Sequence, residues 1–474
     1  MERNMRSTLT ARRPLARFLP ARLLPARLLA VWLIAVLLTP AGATGANARG
    51  FSLIRDAEIE STIRLYGAPV FAAAGLDPQA VRVHLINDKD LNAFVAGGQN
   101  IFINTGLLMA ADSPNQVIGV IAHETGHIAG GHLARSLDAI QDASAQSLLA
   151  FLLGAAAIVS GAGRAGGAII AGGAQVAQRS FLTYSRTQEA AADQAGLRFL
   201  DETGQSAKGL YEFLEKLGDQ EALLATSQDP YVRTHPLTRE RLATIQHHVE
   251  GSPLSDRQDP PELVARHKRM VAKLHGFLDS PAVTLRTYPP SDTSVPARYA
   301  RAVAYHQKRE HDKALAEMDS LLKESPDDPY FQELRGQILL ENGQVDAAVP
   351  YYQRAVDLAP DEPLLRVGLG QAQVSINADT HVKAAIENLN VALRHDHTNT
   401  GAWRWLAMAY GRDNQIGEAA LATAERYMLT GDFLEAGGQA DRAVKLLPTG
   451  SPSALRAEDI RQAADAAQKR KEDR

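Results

Sequence analysis

The stretch Val117-Ile118-Gly119-Val120-Ile121-Ala122-His123-Glu124-Thr125-Gly126-His127 sets two histidines four residues apart in a helical context. On an α-helix, residues i and i+4 share one face, so both imidazoles can converge on one metal ion. Glu124, next to the first histidine, can reach a water at that metal as general base. Ser113-Pro114-Asn115 upstream is a helix-start signal. The residues between are apolar nearly all round, as in a central buried helix. A polar His-Glu-x-x-His run there is costly unless its groups are paired or bound to metal.

A catalytic zinc takes three protein ligands and keeps one position open, so a third must come from elsewhere. His132 lies five residues past His127 and at about 100° per residue points off the metal face. Glu189 is the better candidate, in the alanine-rich and therefore helix-forming run Thr187-Gln188-Glu189-Ala190-Ala191-Ala192-Asp193. Glu189 and Asp193 share a helix face. One carboxylate can bind the metal while the other orients a histidine ring through its second N–H.

These motifs, with Asn92-Ala93-Phe94-Val95-Ala96-Gly97-Gly98 and Ile101 through Leu108, resemble the zinc metallopeptidases of the HtpX and Ste-type (CAAX prenyl protease) superfamily. The resemblance covers roughly residues 50–250 and is closest to a soluble, repeat-tailed branch. It implies a mainly α fold with a small β-sheet, gluzincin-like, followed by an α-solenoid of tetratricopeptide (TPR) repeats. It further implies one zinc per chain on His123, His127 and Glu189, with Glu124 as base and Asp193 behind the ligands. In that branch a histidine before proline, here His235, can fill the fourth zinc position. The implied role is a periplasmic endopeptidase in outer-membrane protein quality control and assembly. Its partners would be misfolded or stalled outer-membrane proteins and their assembly machinery, held by the repeats. The alternative is a non-enzymatic TPR chaperone with a latent metal site. An intact Glu124 argues against it, because a structural site needs no base.

Val81-Arg82-Val83-His84-Leu85-Ile86 favours β structure, and Asn100 to Asn104 is a second short strand after the Gly97-Gly98 turn signal. A substrate added as a strand beside the metal would be held mainly by backbone hydrogen bonds. Gly98, Asn100 and Ile101 are the expected edge. Residues 148–173 are apolar and rich in alanine and glycine, and are expected to form a helical hairpin near the site that touches membrane or unfolded outer-membrane substrate, the alternative being a buried helical hairpin.

Residues 1–48 carry seven arginines against Glu2, then the apolar run Leu28 to Leu38, then Ala46-Asn47-Ala48. That is the pattern of a signal peptide. Its removal moves the formal net charge from −4 to −10, which makes nucleic acid an unsuitable partner. The chain has no cysteine, so neither a disulfide framework nor a thiolate zinc site is available.

The metallopeptidase domain is expected over 49–251 and a connector over 252–294. A TPR domain over 295–448 and a charged tail over 449–474 follow. Pro326 and Pro360 stand 34 residues apart, the TPR period. Ala302 with Gly336, and Ala314 with Ala348, repeat the small positions that let paired helices pack closely. Two further copies run through Gly370, Ala385 and Leu389, and through Trp403, Leu406, Tyr410 and Ala419.

Overall fold

The computed structural model describes residues 53–96, 98–132, 186–223, 235, 237–376 and 378–472. The expected signal peptide and the apolar 148–173 stretch lie outside them. Among the described residues no helix is long and apolar enough to cross a membrane. Ser52–Arg474 forms one compact unit.

The chain opens with β1 (Leu53–Ile54) and α1 (Ala57–Ala73), which is capped by Asp56 accepting from the Ile59 amide at 2.9 Å. Strands β2 (Arg82–Ile86), β3 (Ala93–Ala96) and β4 (Asn100–Asn104) complete a four-stranded sheet of order β1-β2-β4-β3. β2 and β4 run parallel, while β3 pairs antiparallel with β4 at the sheet's edge. Val83, Leu85, Ala93, Val95, Ile101 and Ile103 face the core by the period-2 alternation of strands.

After the short α2 (Thr105–Ala110) comes α3 (Pro114–Ala129), with Ser113 as N-cap and proline in the first turn. Every residue from Gln116 to Gly126 is buried, as the all-round apolar pattern requires. The helix over 186–202 (α4) and α5 (Lys208–Leu223) pack against it, followed by α6 (Arg239–Gly251). Two close backbone approaches hold these helices: a Cβ on Gly119 would lie 2.7 Å from Leu210, and one on Gly126 only 2.6 Å from the Ala192 carbonyl oxygen. The second contact falls between the two histidines on one helix and between Glu189 and Asp193 on the other. Glycine at 126 is what lets the two faces meet.

The segment expected as a connector does more than connect. Its helix α7 (Pro261–Leu278) places Met270 and Leu274 in the same core as Ile121 and Phe213. His267 Nε2 donates to the Ala111 carbonyl at 2.8 Å, and Asp259 accepts from the Asn115 amide at 3.1 Å. Met270→Ala should therefore destabilise the peptidase domain by about 2–5 kcal/mol, the range for truncating a buried methionine. Urea unfolding followed by tryptophan-independent far-UV dichroism checks this. A loss under about 0.5 kcal/mol would place α7 outside that core.

Helix α8 (Pro281–Thr287) leads into helical pairs: α9 (Val295–Gln307) with α10 (His311–Glu324), α11 (Pro329–Glu341) with α12 (Val345–Leu358), and α13 (Pro363–Ser375) with α14 (Asp379–His395). α15 (Thr400–Arg412) pairs with α16 (Ile416–Thr430), and α17 (Phe433–Leu446) with α18 (Pro452–Glu472). The α-solenoid of TPR repeats thus stands as expected. The charged tail is absorbed into its last pair, because Ala454, Ala457 and Ile460 lie at helical spacing and bury against α16 and α17, and Ala464 one turn on is buried too.

The arm is tied to the peptidase domain through α1. Ala57 packs among Tyr330, Leu365 and Leu369 of the repeats. Arg55 pairs with Asp396 at 2.7 Å, and Arg64 pairs with Glu362. Buried Glu58 accepts from the Tyr299 hydroxyl at 2.8 Å and pairs with Arg269 and Lys273. Burial works to raise the Glu58 pKa, but those two cations hold it below its ordinary value.

Candidate metal centre

Three elements converge on one point. α3 supplies His123, Glu124 and His127, α4 supplies Glu189 and Asp193, and the loop before α6 supplies His235. Ligand atoms of His123, His127, Glu189 and His235 all lie within 4.8 Å of one another. His123 Nε2 is 3.1 Å from His127 Nε2 and 3.4 Å from His235 Nδ1. The Glu189 carboxylate is 3.3 Å from both His123 Nε2 and His127 Nε2, and 3.2 Å from His235 Nδ1.

The other nitrogen of each ring is already engaged. His123 Nδ1 donates to Asp193 at 2.9 Å. His127 Nδ1 shares a hydrogen bond with His132 Nδ1 at 3.0 Å. His235 Nε2 lies 3.2 Å from the Ala93 carbonyl, and Nδ1 faces the Glu189 carboxylate, 3.2 Å from each oxygen. Ring nitrogens and a carboxylate converging on one point suit a cation between them, and ring orientation by a second partner is the usual support of a metal ligand. With no thiolate present, the donor set is nitrogen and carboxylate oxygen.

The charge balance points the same way. Glu124, Glu189 and Asp193 are all buried, and Arg241 pairs with two of them, Glu189 and Asp193. Arg241 donates from Nε and Nη2 to Asp193 at 2.7 and 2.9 Å, and from Nη1 it lies 2.9 Å from Glu189. Burial opposes ionisation of Glu189, but the histidines around it hold its pKa well below the carboxylate range. For Asp193 burial is likewise outweighed, by Arg241 and His123. Burial also works against a charged His123, yet Asp193 and Glu189 raise its pKa to about 10. Burial leads in lowering the pKa of His127, which keeps that ring in the neutral, ligating form. The pocket is one that draws positive charge inward.

Glu124 stands apart. Both its carboxylate oxygens are buried and accept no hydrogen bond from a described residue; His235 Nε2 lies 3.5 Å from Oε1. A carboxylate held without partners beside converging ligands is free to take a proton from a reacting water.

Two roles in this cluster escaped the sequence reading. His132, weighed there only as a metal ligand, grips the ring of His127 from behind. Arg241 carries no spacing signal with Glu189 or Asp193, since it lies 48 residues beyond Asp193.

The expected edge is corrected. Asn100 and Ile101 lie on β4, an inner strand, where Ile101 faces both Val83 and Val95 across its two neighbours. They cannot receive an added strand. Gly98, at φ 94°, makes the β3–β4 turn instead. The strand beside the site with only one described partner is β3, because the chain folds back at Gly98 and leaves β3 outermost.

A family model described as Peptidase family M48 matches residues 55–249, and one described as Tetratricopeptide repeat matches residues 331–362. The chain is 25% identical over 402 residues to the Beta-barrel assembly-enhancing protease of Yersinia pestis, covering 84% of this chain and 82% of that relative. It is 31% identical over 179 residues to Metalloprotease LoiP of Escherichia coli (strain K12), covering 36% of this chain and 64% of LoiP. It is 28% identical over 181 residues to Mitochondrial metalloendopeptidase OMA1 of Schizosaccharomyces pombe, covering 37% and 49%. The converging histidines and carboxylates therefore sit in a peptidase family M48 domain, and the chain is a metalloendopeptidase with a tetratricopeptide-repeat arm.

Proposed function

We propose that this chain is a zinc endopeptidase of the bacterial periplasm that acts in outer-membrane protein quality control and assembly, with its repeats holding partner or substrate proteins. Residues 1–48 would be its export signal. The observation that carries the metal reading is the convergence of His123, His127, Glu189 and His235, each ring with its far nitrogen engaged. A tetrahedron with Zn–N and Zn–O bonds of about 2.0–2.1 Å has edges of roughly 3.3–3.4 Å. The separations of His123 from the other three donors, and of Glu189 from each histidine, run from 3.1 to 3.4 Å and suit that size. The role in outer-membrane assembly is carried over from relatives named as β-barrel assembly-enhancing proteases.

His123, His127 and Glu189 would hold the zinc. When bound, it lowers the pKa of a water and polarises the scissile carbonyl. Glu124 accepts the proton of the attacking water as the new C–O bond forms, and returns it to the amine nitrogen as the C–N bond breaks. Asp193 and His132 keep the two rings aimed, and Arg241 holds both carboxylates of α4 in place.

His235 would act as a gate. In the antiparallel pairing of β3 with β4, the Asn104 amide donates to the Asn92 carbonyl at 2.9 Å. Alternate residues Ala93 and Val95 then aim their backbone groups away from β4, toward the side on which no described strand pairs. His235 Nε2 occupies the Ala93 carbonyl while Nδ1 occupies the fourth donor position. A substrate strand laid along β3 needs that carbonyl, and its scissile bond needs that position. One ring therefore blocks both, and substrate pairing displaces it from both. His235→Ala should raise cleavage of unfolded casein severalfold, keep its zinc, and remain sensitive to chelator. Cleavage no faster than wild type would remove the gate. Chelator-insensitive cleavage, or none by either protein, would remove the zinc-peptidase reading.

A further inference from the structure

The face of the sheet opposite the core carries a row of rings. His84 on β2 is directly opposite Phe102 on β4, and Phe102 is directly opposite Phe94 on β3. Their planes lie nearly parallel, 21° between His84 and Phe102 and 12° between Phe102 and Phe94, with centroids 4.8 and 5.1 Å apart. All three are half-buried. The row therefore crosses three strands and reaches β3, whose Ala93 carbonyl lies within hydrogen-bond distance of the cluster's His235.

We propose that Phe94, backed by Phe102, selects an aromatic side chain in the substrate at the one position that faces it across β3. This rests on the reading that substrate pairs with β3 as an added strand. An antiparallel addition would use the outward backbone groups of Ala93 and Val95. The residue facing Phe94 then belongs to a non-hydrogen-bonded pair, the kind in which side chains approach closest. A ring at that place extends the row by one more offset stack. Its neighbours in sequence turn to the other face, toward the metal ligands, and meet no rings of this row. The preferred substrate is then an extended, unfolded segment with an aromatic side chain at that one position.

The test is a cleavage profile of the full-length protein on a degenerate library of unfolded peptides, read by mass spectrometry. A single position should favour Phe, Tyr or Trp over Ala by roughly 1.5- to 5-fold, the range that a cross-strand aromatic pair contributes. Phe94→Leu and Phe102→Leu keep an apolar side chain of similar bulk but remove a ring. Each should flatten that one position while leaving zinc content and the preferences elsewhere unchanged. An aromatic preference that survives both substitutions overturns the proposal, as does a profile with no aromatic preference. If no peptide shows chelator-sensitive cleavage, the edge-strand peptidase reading falls with it.

Discussion

Glu124→Gln is expected to abolish proteolysis while leaving the fold and the bound metal in place. The two side chains have nearly the same shape, and Glu124 is fully buried with no hydrogen bond from a described residue to lose. An amide at that place cannot accept the proton of an attacking water. General acid–base catalysis contributes typically 10²- to 10⁴-fold, so a loss of that order is expected. Since Glu124 is not among the converging donors, metal analysis of the variant should match wild type. Cleavage of unfolded casein, metal content and thermal melting, measured side by side, decide the matter. Activity within tenfold of wild type would mean that another group takes the proton.

Glu189→Ala is expected to have the second large effect, on the metal and on stability together. The carboxylate touches His123, His127, His235 and Arg241 at 3.3 Å or less. On the proposed reading, removing it takes one ligand from the metal. It also leaves the guanidinium of Arg241, 5% exposed, with Asp193 as its remaining described carboxylate. Breaking a buried ion pair from one side costs about 3–5 kcal/mol. Metal per chain should fall to about a tenth of wild type or less, with a matching drop in the urea midpoint. Full metal retention would place the third ligand elsewhere.

Much of the peptidase site was legible because it rests on local periodicity. The spacing of His123 and His127 fixes a shared helix face, and so does that of Glu189 and Asp193. A buried helix forces such polar pairs to find partners. The solenoid was legible for the same reason, a 34-residue repeat of small and large positions. What was not legible depends on chain segments meeting in space. Arg241 on Asp193, His267 on Ala111 and Glu58 between Arg269 and Tyr299 join residues far apart in sequence, with no pattern to announce them. The strand order is a similar case. Val81–Ile86 and Asn100–Asn104 read as the two strands, but they pair in parallel, and β3, not read as a strand, takes the outer side of β4. Tail helix α18 was misread because its charge outweighed its alanine spacing.

The central claim is a zinc ion held by His123, His127 and Glu189, with His235 in the fourth position at rest. Zinc K-edge X-ray absorption of the purified full-length protein tests it most directly. The account predicts about one zinc per chain with four nitrogen and oxygen neighbours at about 2.0–2.1 Å. It predicts outer-shell scattering from three imidazoles in the resting protein and from two in His235→Ala. A protein purified without metal that fails to take up zinc would contradict it. So would a first shell whose imidazole count does not change when His235 is removed.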